Sequence, residues 1–145
     1  MRVLCVCLGN ICRSPTAEAV LRHHGRDRID VDSAGTAGWH VGKPPYGPAV
    51  EAAAARGYDL RPLRARQFSR ADFDAFDLIL AMDQANLQDV EALRPEGNTT
   101  PARLFLDYAP NGDRAEVPDP YYTRDFDEAL DLIETATRGL LEQLG

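Results

Sequence analysis

The sequence predicts an α/β domain, a four-stranded parallel sheet flanked by helices in a three-layer sandwich, from three observations. Short strand-like segments at residues 3–6, 29–33 and 77–82, the first and last of them apolar runs, alternate with segments that carry helix-start and helix-stop signals. The first run is β-branched, lacks polar alternation and meets Gly9-Asn10 at once, the pattern of a strand buried on both faces. Phe126, Leu130, Ile133, Thr137, Leu140, Leu141 and Leu144 recur at three- and four-residue spacing, which makes the C-terminal segment an amphipathic helix. With 145 residues the chain is expected to form one domain over residues 1–145, long enough to bury one sizeable core.

The elements follow in order. After the first strand, Ser14 reads as an N-cap with Pro15 at the first helical position, opening a helix that ends near Gly25. A second strand at residues 29–33 leads into a turn-rich stretch over 35–47. The alanine-rich segment 48–56 is a helix stopped at Gly57. A third strand at 77–82 is followed by a helix over 84–93 that ends at Pro95, and residues 103–106 supply the fourth strand. No internal repeat or low-complexity tract occurs. The one shift in composition is the acidic stretch 111–131, where Asp113, Glu116, Asp119, Asp125, Asp127, Glu128 and Asp131 face only Arg114 and Arg124.

Charge and cysteine usage exclude several classes of function. Sixteen basic residues against 23 acidic ones give a net charge of −7, which argues against a nucleic-acid partner or an anionic membrane surface. Phosphate, if bound, must be bound locally. Cys5, Cys7 and Cys12 are the only cysteines, an odd number crowded at one end, which does not suit a disulfide framework and points to a reducing compartment. His23, His24 and His40 are the only histidines, and without a second cysteine pair no zinc site is expected. The N-terminal apolar run is too short for a signal-peptide core or a membrane span, so the expected location is cytoplasmic.

In an open α/β sheet, ligands bind where strand ends feed loops into helix N-termini, which directs attention to the first loop, Cys7-Leu8-Gly9-Asn10-Ile11-Cys12-Arg13-Ser14-Pro15. Such a loop turns successive N–H groups inward on the positive end of a helix dipole and so makes an anion site. The same positive setting favours the thiolate of Cys7, the form that acts as a nucleophile. Arg13 can fork two donors onto phosphoryl oxygens while Cys7 attacks phosphorus in line with the leaving group. Asn10 and Ser14 can hydrogen-bond within the loop and fix its shape. Arginine fills 15 of the 145 positions, so the Cys/Arg spacing alone is a weak signal. The strand before it, the glycine inside it and the Ser-Pro after it give it weight. Expelling an alkoxide or phenoxide also needs a proton donor. Asp119, between Pro118 and Pro120, is the candidate, and a carboxyl beside a phosphate and a thiolate would hold its proton. Taken alone, Asp119 reads first as a turn residue, since Pro-Asp-Pro is good turn chemistry.

The run Val6-Cys7-Leu8-Gly9-Asn10-Ile11-Cys12-Arg13-Ser14-Pro15, together with Asp119-Pro120-Tyr121-Tyr122, resembles the low-molecular-weight protein tyrosine phosphatases. Asp32-Ser33-Ala34-Gly35-Thr36, Ala65-Arg66-Gln67 and residues 77–83 also look like segments of that family, so the resemblance runs nearly end to end. It implies a phosphocysteine intermediate on Cys7, phosphate held by Arg13 and the loop amides of residues 8–14, Asp119 as acid and then base, no metal and no other cofactor, and phosphotyrosine-containing proteins as partners. Two departures stand out. Tyr46-Gly47-Pro48 occupies the place of a common Asp-x-Arg turn, and Leu63 that of a histidine; both are thought to brace the phosphate loop, so its support here must differ.

Trp39, Tyr121 and Tyr122 would wall a cleft in which an aromatic ring stacks, which favours phosphotyrosine over the shorter phosphoserine. Without the resemblance, Trp39 reads as a half-buried core residue. Cys12 could trap an oxidised Cys7 as a reversible disulfide and so act as a redox guard, or be a small buried side chain. Tyr121 or Tyr122 could themselves be targets of a tyrosine kinase, by analogy. The rival readings are a thiol-dependent arsenate reductase and a phosphocarrier of the same fold. The reductase needs cysteines further along the chain, where this sequence has none, and the carrier needs no acid such as Asp119.

Overall fold

The computed structural model of the protein describes residues 1–110 and 114–145. Asp113, counted in the acidic stretch, lies outside them. The architecture is the expected one. Strands β1 (Arg2–Cys7), β2 (Asp30–Gly35), β3 (Leu78–Ala81) and β4 (Ala102–Leu104) form a parallel sheet in the order β2-β1-β3-β4. β1 is therefore central, paired with β2 from Arg2↔Asp30 to Cys7↔Gly35 and with β3 from Val3↔Leu78 to Val6↔Ala81. The helices are α1 (Arg13–Gly25), α2 (Gly47–Ala54), α3 (Asp72–Ala75), α4 (Gln84–Glu91), α5 (Pro120–Thr123) and α6 (Phe126–Leu144).

Alternation along β1 divides the core into two layers. Val3, Cys5 and Cys7 face the larger one, which is filled by Val20 and Leu21 of α1 and by Leu130, Ile133 and Leu140 of α6. Leu4 and Val6 face the smaller, with Phe68, Phe73, Phe76 and Val90. The continuous apolar run of β1 is thus explained by burial on both faces.

Three local expectations are corrected, and two short helices are added. Helix α1 starts at Arg13, and Ser14 is not its N-cap: Cys12 holds that position without a side-chain cap, because the Ser14 hydroxyl is engaged beneath the loop. β4 stops at Leu104, and Phe105–Tyr108 form a 3₁₀ turn that carries Phe105 and Leu106 into the core against α6. β2 runs on to Gly35, two residues beyond the expected end, because its pairing with β1 continues to Cys7. α3 and α5, four residues each, are too short to show a helical period.

The 3₁₀ turn sets a close approach. A Cβ at Gly139 of α6 would fall on the Tyr108 carbonyl, so glycine is required there by space. Gly139→Ala is expected to lower the unfolding free energy by about 1–3 kcal/mol through overpacking, although alanine is the better helix former by roughly 1 kcal/mol. Urea denaturation of the two proteins measures the difference.

Candidate active site

Five residues, 8–12, carry the chain from the end of β1 to the start of α1. The carbonyls of Cys7, Leu8 and Ile11 are taken up by donors from other segments, and that of Cys12 by the first turn of α1. Thr36 N–H donates to Cys7 O and Ala37 N–H to Leu8 O, each at 2.9 Å; Tyr46 N–H donates to Ile11 O at 2.8 Å, and Thr16 N–H to Cys12 O at 3.2 Å. In a trans peptide the N–H points opposite to the carbonyl. The amides of Leu8, Gly9, Cys12 and Arg13 consequently point away from the partners that take up those carbonyls. Asn10 N–H already reaches Cys7 Sγ at 3.3 Å. Together with the N-terminus of α1, these donors have the chemistry to receive an anion. β2 fixes the depth of the loop: a Cβ on Gly35 would stand 2.8 Å from Leu8 O.

A buried polar network lies beneath the loop. Asn10 takes the left-handed conformation (φ 57°), which Asn tolerates better than most residues. Its Nδ2 donates to Ser14 Oγ at 2.8 Å and Ser33 Oγ at 2.9 Å, while its Oδ1 accepts from Arg66 N–H at 3.0 Å. Ser33 spends its single proton on Glu18 Oε1 at 2.6 Å, so its oxygen can only accept from Asn10. That fixes the direction of the whole chain of bonds. Ser14 Oγ likewise accepts from Asn10, and its own proton is free for Cys7 Sγ at 3.0 Å, against a longer alternative at 3.4 Å on Ala34 O. Burial raises the Glu18 carboxyl above its ordinary range, and the bonds from Ser33 and Arg22 partly offset this.

Arg13 sits almost wholly buried at the loop's return. Its Nη1 donates to Asp83 Oδ2 at 2.7 Å and Val117 O at 3.0 Å, and its Nη2 to Asp119 Oδ2 at 3.4 Å. Burial opposes its charge, but proximity to Cys7, Asp83 and Asp119 outweighs burial and raises its pKa. Asp83 is itself held as the N-cap of α4, accepting Asn86 N–H at 2.8 Å. Asp119 caps α5 in the same way through Tyr121 N–H at 3.1 Å, with Pro120 at the first helical position. Val117 N–H donates to Met82 O, which docks the Asp119 segment beside the end of β3.

The result is a cleft of about 210 Å³ with Cys7 and Arg13 at its base and Asp119, Trp39, Tyr121 and Tyr122 around it. Trp39 is 69% exposed and Tyr122 72%, so Trp39 belongs to the rim and not to the core.

The family model described as low molecular weight phosphotyrosine protein phosphatase matches residues 2–145. The chain belongs to this family, and so to the protein-tyrosine-phosphatases. The low molecular weight protein-tyrosine-phosphatase YfkJ of Bacillus subtilis is 43% identical over 147 residues, covering 98% of this chain and 94% of its own. The corresponding protein of Streptomyces coelicolor is 44% identical over 151 residues, with 97% and 91% covered. Among solved structures, that of YfkJ superposes with a TM-score of 0.93 over 99% of this chain and 93% of its own at 42% identity. An Entamoeba histolytica protein tyrosine phosphatase with Hepes in its active site gives 0.92 at 36% identity, over 99% and 96%.

Within this family frame, the structure brings together Cys7, Arg13, Asp119, Trp39, Tyr121 and Tyr122 as expected around one cleft. Of the loop residues, Leu8, Gly9, Ile11 and Cys12 line it, whereas Asn10 and Ser14 lie buried below. At the two departures, Tyr46 braces the loop through its main chain, and Leu63 packs on the larger core; Ser33, Glu18 and Arg22 end the polar network. Sequence reasoning missed Asp83, Ser33, Glu18 and His40, whose ring covers Gly9. Asp83 carries the clearest overlooked signal, an acid between a buried strand and a helix start.

A raised carboxyl favours the folded state fully only below its ordinary value of 4.5 and loses that contribution as pH rises through the raised value. Glu18→Gln should therefore gain stability relative to the unmodified protein between about pH 4 and about pH 7. Denaturant titrations at both pH values test this; a difference that does not change with pH contradicts it.

Proposed function

We propose that the protein hydrolyses phosphotyrosine in proteins, and small aryl phosphates, through a phosphocysteine on Cys7 with Asp119 as general acid and base. The observation that carries the reading is one thiol in contact with a loop amide, in one cleft with a single buried guanidinium that contacts the carboxylates of Asp83 and Asp119.

The substrate phosphoryl group seats on the loop amides, and Arg13 stabilises its oxygens with a guanidinium whose orientation Asp83 and Val117 O hold. The Cys7 thiolate attacks phosphorus; an S–P bond forms as the P–O bond to the phenol breaks, and Asp119 gives its proton to the departing oxygen. In the second step Asp119, now a carboxylate, takes a proton from water, whose oxygen attacks phosphorus and releases Cys7 as thiolate and inorganic phosphate. The Ser14 hydroxyl supports the thiolate on departure. The exposed ring of Trp39 and the Tyr121-Tyr122 pair offer aromatic faces to the substrate ring. Both tyrosines are also exposed enough to meet a tyrosine kinase.

Cys12 is assigned the role of redox guard. Burial, and then the neighbouring Cys7, push its thiol up to about 12, so it stays protonated while Cys7 reacts. Peroxide oxidises Cys7 to the sulfenic acid; Cys12 sulfur then bonds to Cys7 sulfur with loss of water, and an added thiol reverses the step. Mild peroxide should remove two hydrogens from the protein mass and leave activity recoverable by thiol. Irreversible sulfinic acid at Cys7 would sink the assignment.

Hydrolysis of p-nitrophenyl phosphate and of a phosphotyrosine peptide tests the main reading. Cys7→Ser and Arg13→Ala should lose nearly all activity. Asp119→Ala should lose on the order of 10²–10⁴ with the phosphotyrosine peptide and less with p-nitrophenyl phosphate, whose leaving group needs less help. A fully active Cys7→Ser protein excludes the mechanism.

A further inference from the structure

We infer that Tyr46 is a positioning residue that ties the phosphate loop to the turn bearing Asp119 and so sets where the acid stands over the bound phosphoryl group. The inference rests on the role proposed for Asp119. Tyr46 touches both halves of the site. Its N–H donates to Ile11 O in the loop at 2.8 Å. Its ring packs on Tyr121 with centroids 5.2 Å apart, and Tyr121 N–H is in turn bonded to Asp119 Oδ1. On the far side its hydroxyl accepts from Arg124 Nη1 at 2.9 Å, and the Arg124 guanidinium lies over both the Tyr46 and Phe126 rings, 5.4 and 5.6 Å from their centroids. Arg124 directly follows α5, the short helix that Asp119 opens. Tyr46 therefore grips that helix at both ends.

Two local costs set this contact apart from ordinary packing. Tyr46 stands at the N-cap of α2 and makes no side-chain cap, forgoing the bond that Ser, Asp or Asn would supply. Arg124 is held in the left-handed region (φ 64°), uncommon for a residue other than glycine, asparagine or aspartate. Both residues give up local preference, and what they gain is the link between them. The link also stands where the Asp-x-Arg turn of similar sequences is missing, so this chain joins its two loops by an aromatic ring and a guanidinium.

A residue that only fills space changes all substrates alike. A residue that places the acid matters most where the leaving group needs a proton. The test compares kcat/KM for phenyl phosphate and p-nitrophenyl phosphate in the unmodified protein, Tyr46→Leu, Tyr46→Phe, Arg124→Asn and Asp119→Ala. Tyr46→Leu is expected to lose roughly tenfold more on phenyl phosphate than on p-nitrophenyl phosphate, since an ångström of misplacement can cost on the order of 10²-fold. Tyr46→Phe should restore most of that ratio because the ring remains, and Arg124→Asn should show a smaller change in the same sense. Equal losses on both substrates, or none, in a Tyr46→Leu protein that melts cooperatively overturn the inference. If Tyr46→Leu does not fold, Arg124→Asn decides by the same ratio. Asp119→Ala separates the two readings: a selective loss there without one at Tyr46 defeats only the positioning role, whereas no selective loss at Asp119 defeats the acid assignment and this inference with it.

Discussion

Asn10 is the constraint on which the site is built. Its backbone N–H reaches Cys7, its two amide hydrogens hold Ser14 and Ser33, and its carbonyl oxygen accepts from the 66–67 segment. A buried group with polar atoms left over would cost about 1–3 kcal/mol for each one unpaired, so the side chain tolerates very few positions. Its left-handed backbone follows from that arrangement. Glu18 makes the network directional, because a carboxylate at the far end can only accept. Asn10 then donates both ways, to Ser33 on the carboxylate side and to Ser14 on the sulfur side, and the proton left on Ser14 is the one offered to Cys7.

Electrostatics reconcile an acidic protein with the proposed phosphate site. The net charge of −7 is a property of the whole surface, while the proposed site depends on one buried guanidinium and a set of backbone dipoles. Asp83 and Asp119 near Arg13 keep that guanidinium charged and aimed. Their own attachment as helix caps means that neither carboxylate swings freely, so the guanidinium is fixed from outside the loop that it serves.

The sheet, the four longest helices and the first loop were legible because each has a local signature: β-branched runs, glycine and proline stops, helical spacing. Cys7, Arg13 and Asp119 were readable from chemistry at the ends of elements. Ser33, Glu18 and Asp83 were not, because their roles arise from partners 15 to 70 residues away, and no local pattern encodes such a pairing. Ser14 departs from its reading for a different reason: Ser-Pro before a helix is a good cap, but Cys7 and Asn10, seven and four residues earlier, engage its hydroxyl. The end of the fourth strand was misjudged because Phe105 and Leu106 are apolar for the sake of α6, and burial looks alike in a strand and in a 3₁₀ turn.

The span of the Arg13 contacts along the chain has one more consequence. Arg13 is bonded to Val117 and to Asp119, 104 and 106 positions away, while Asn10 depends on residues from two further segments. Contacts so distant in sequence form only after long loops have closed, and parallel sheets close them slowly. A chain with β1 and α1 formed but those loops still open would own the thiol and the arginine yet lack the groups that aim them. Turnover thus doubles as a clock for completed folding, and refolding followed by catalysis should lag behind refolding followed by helix content.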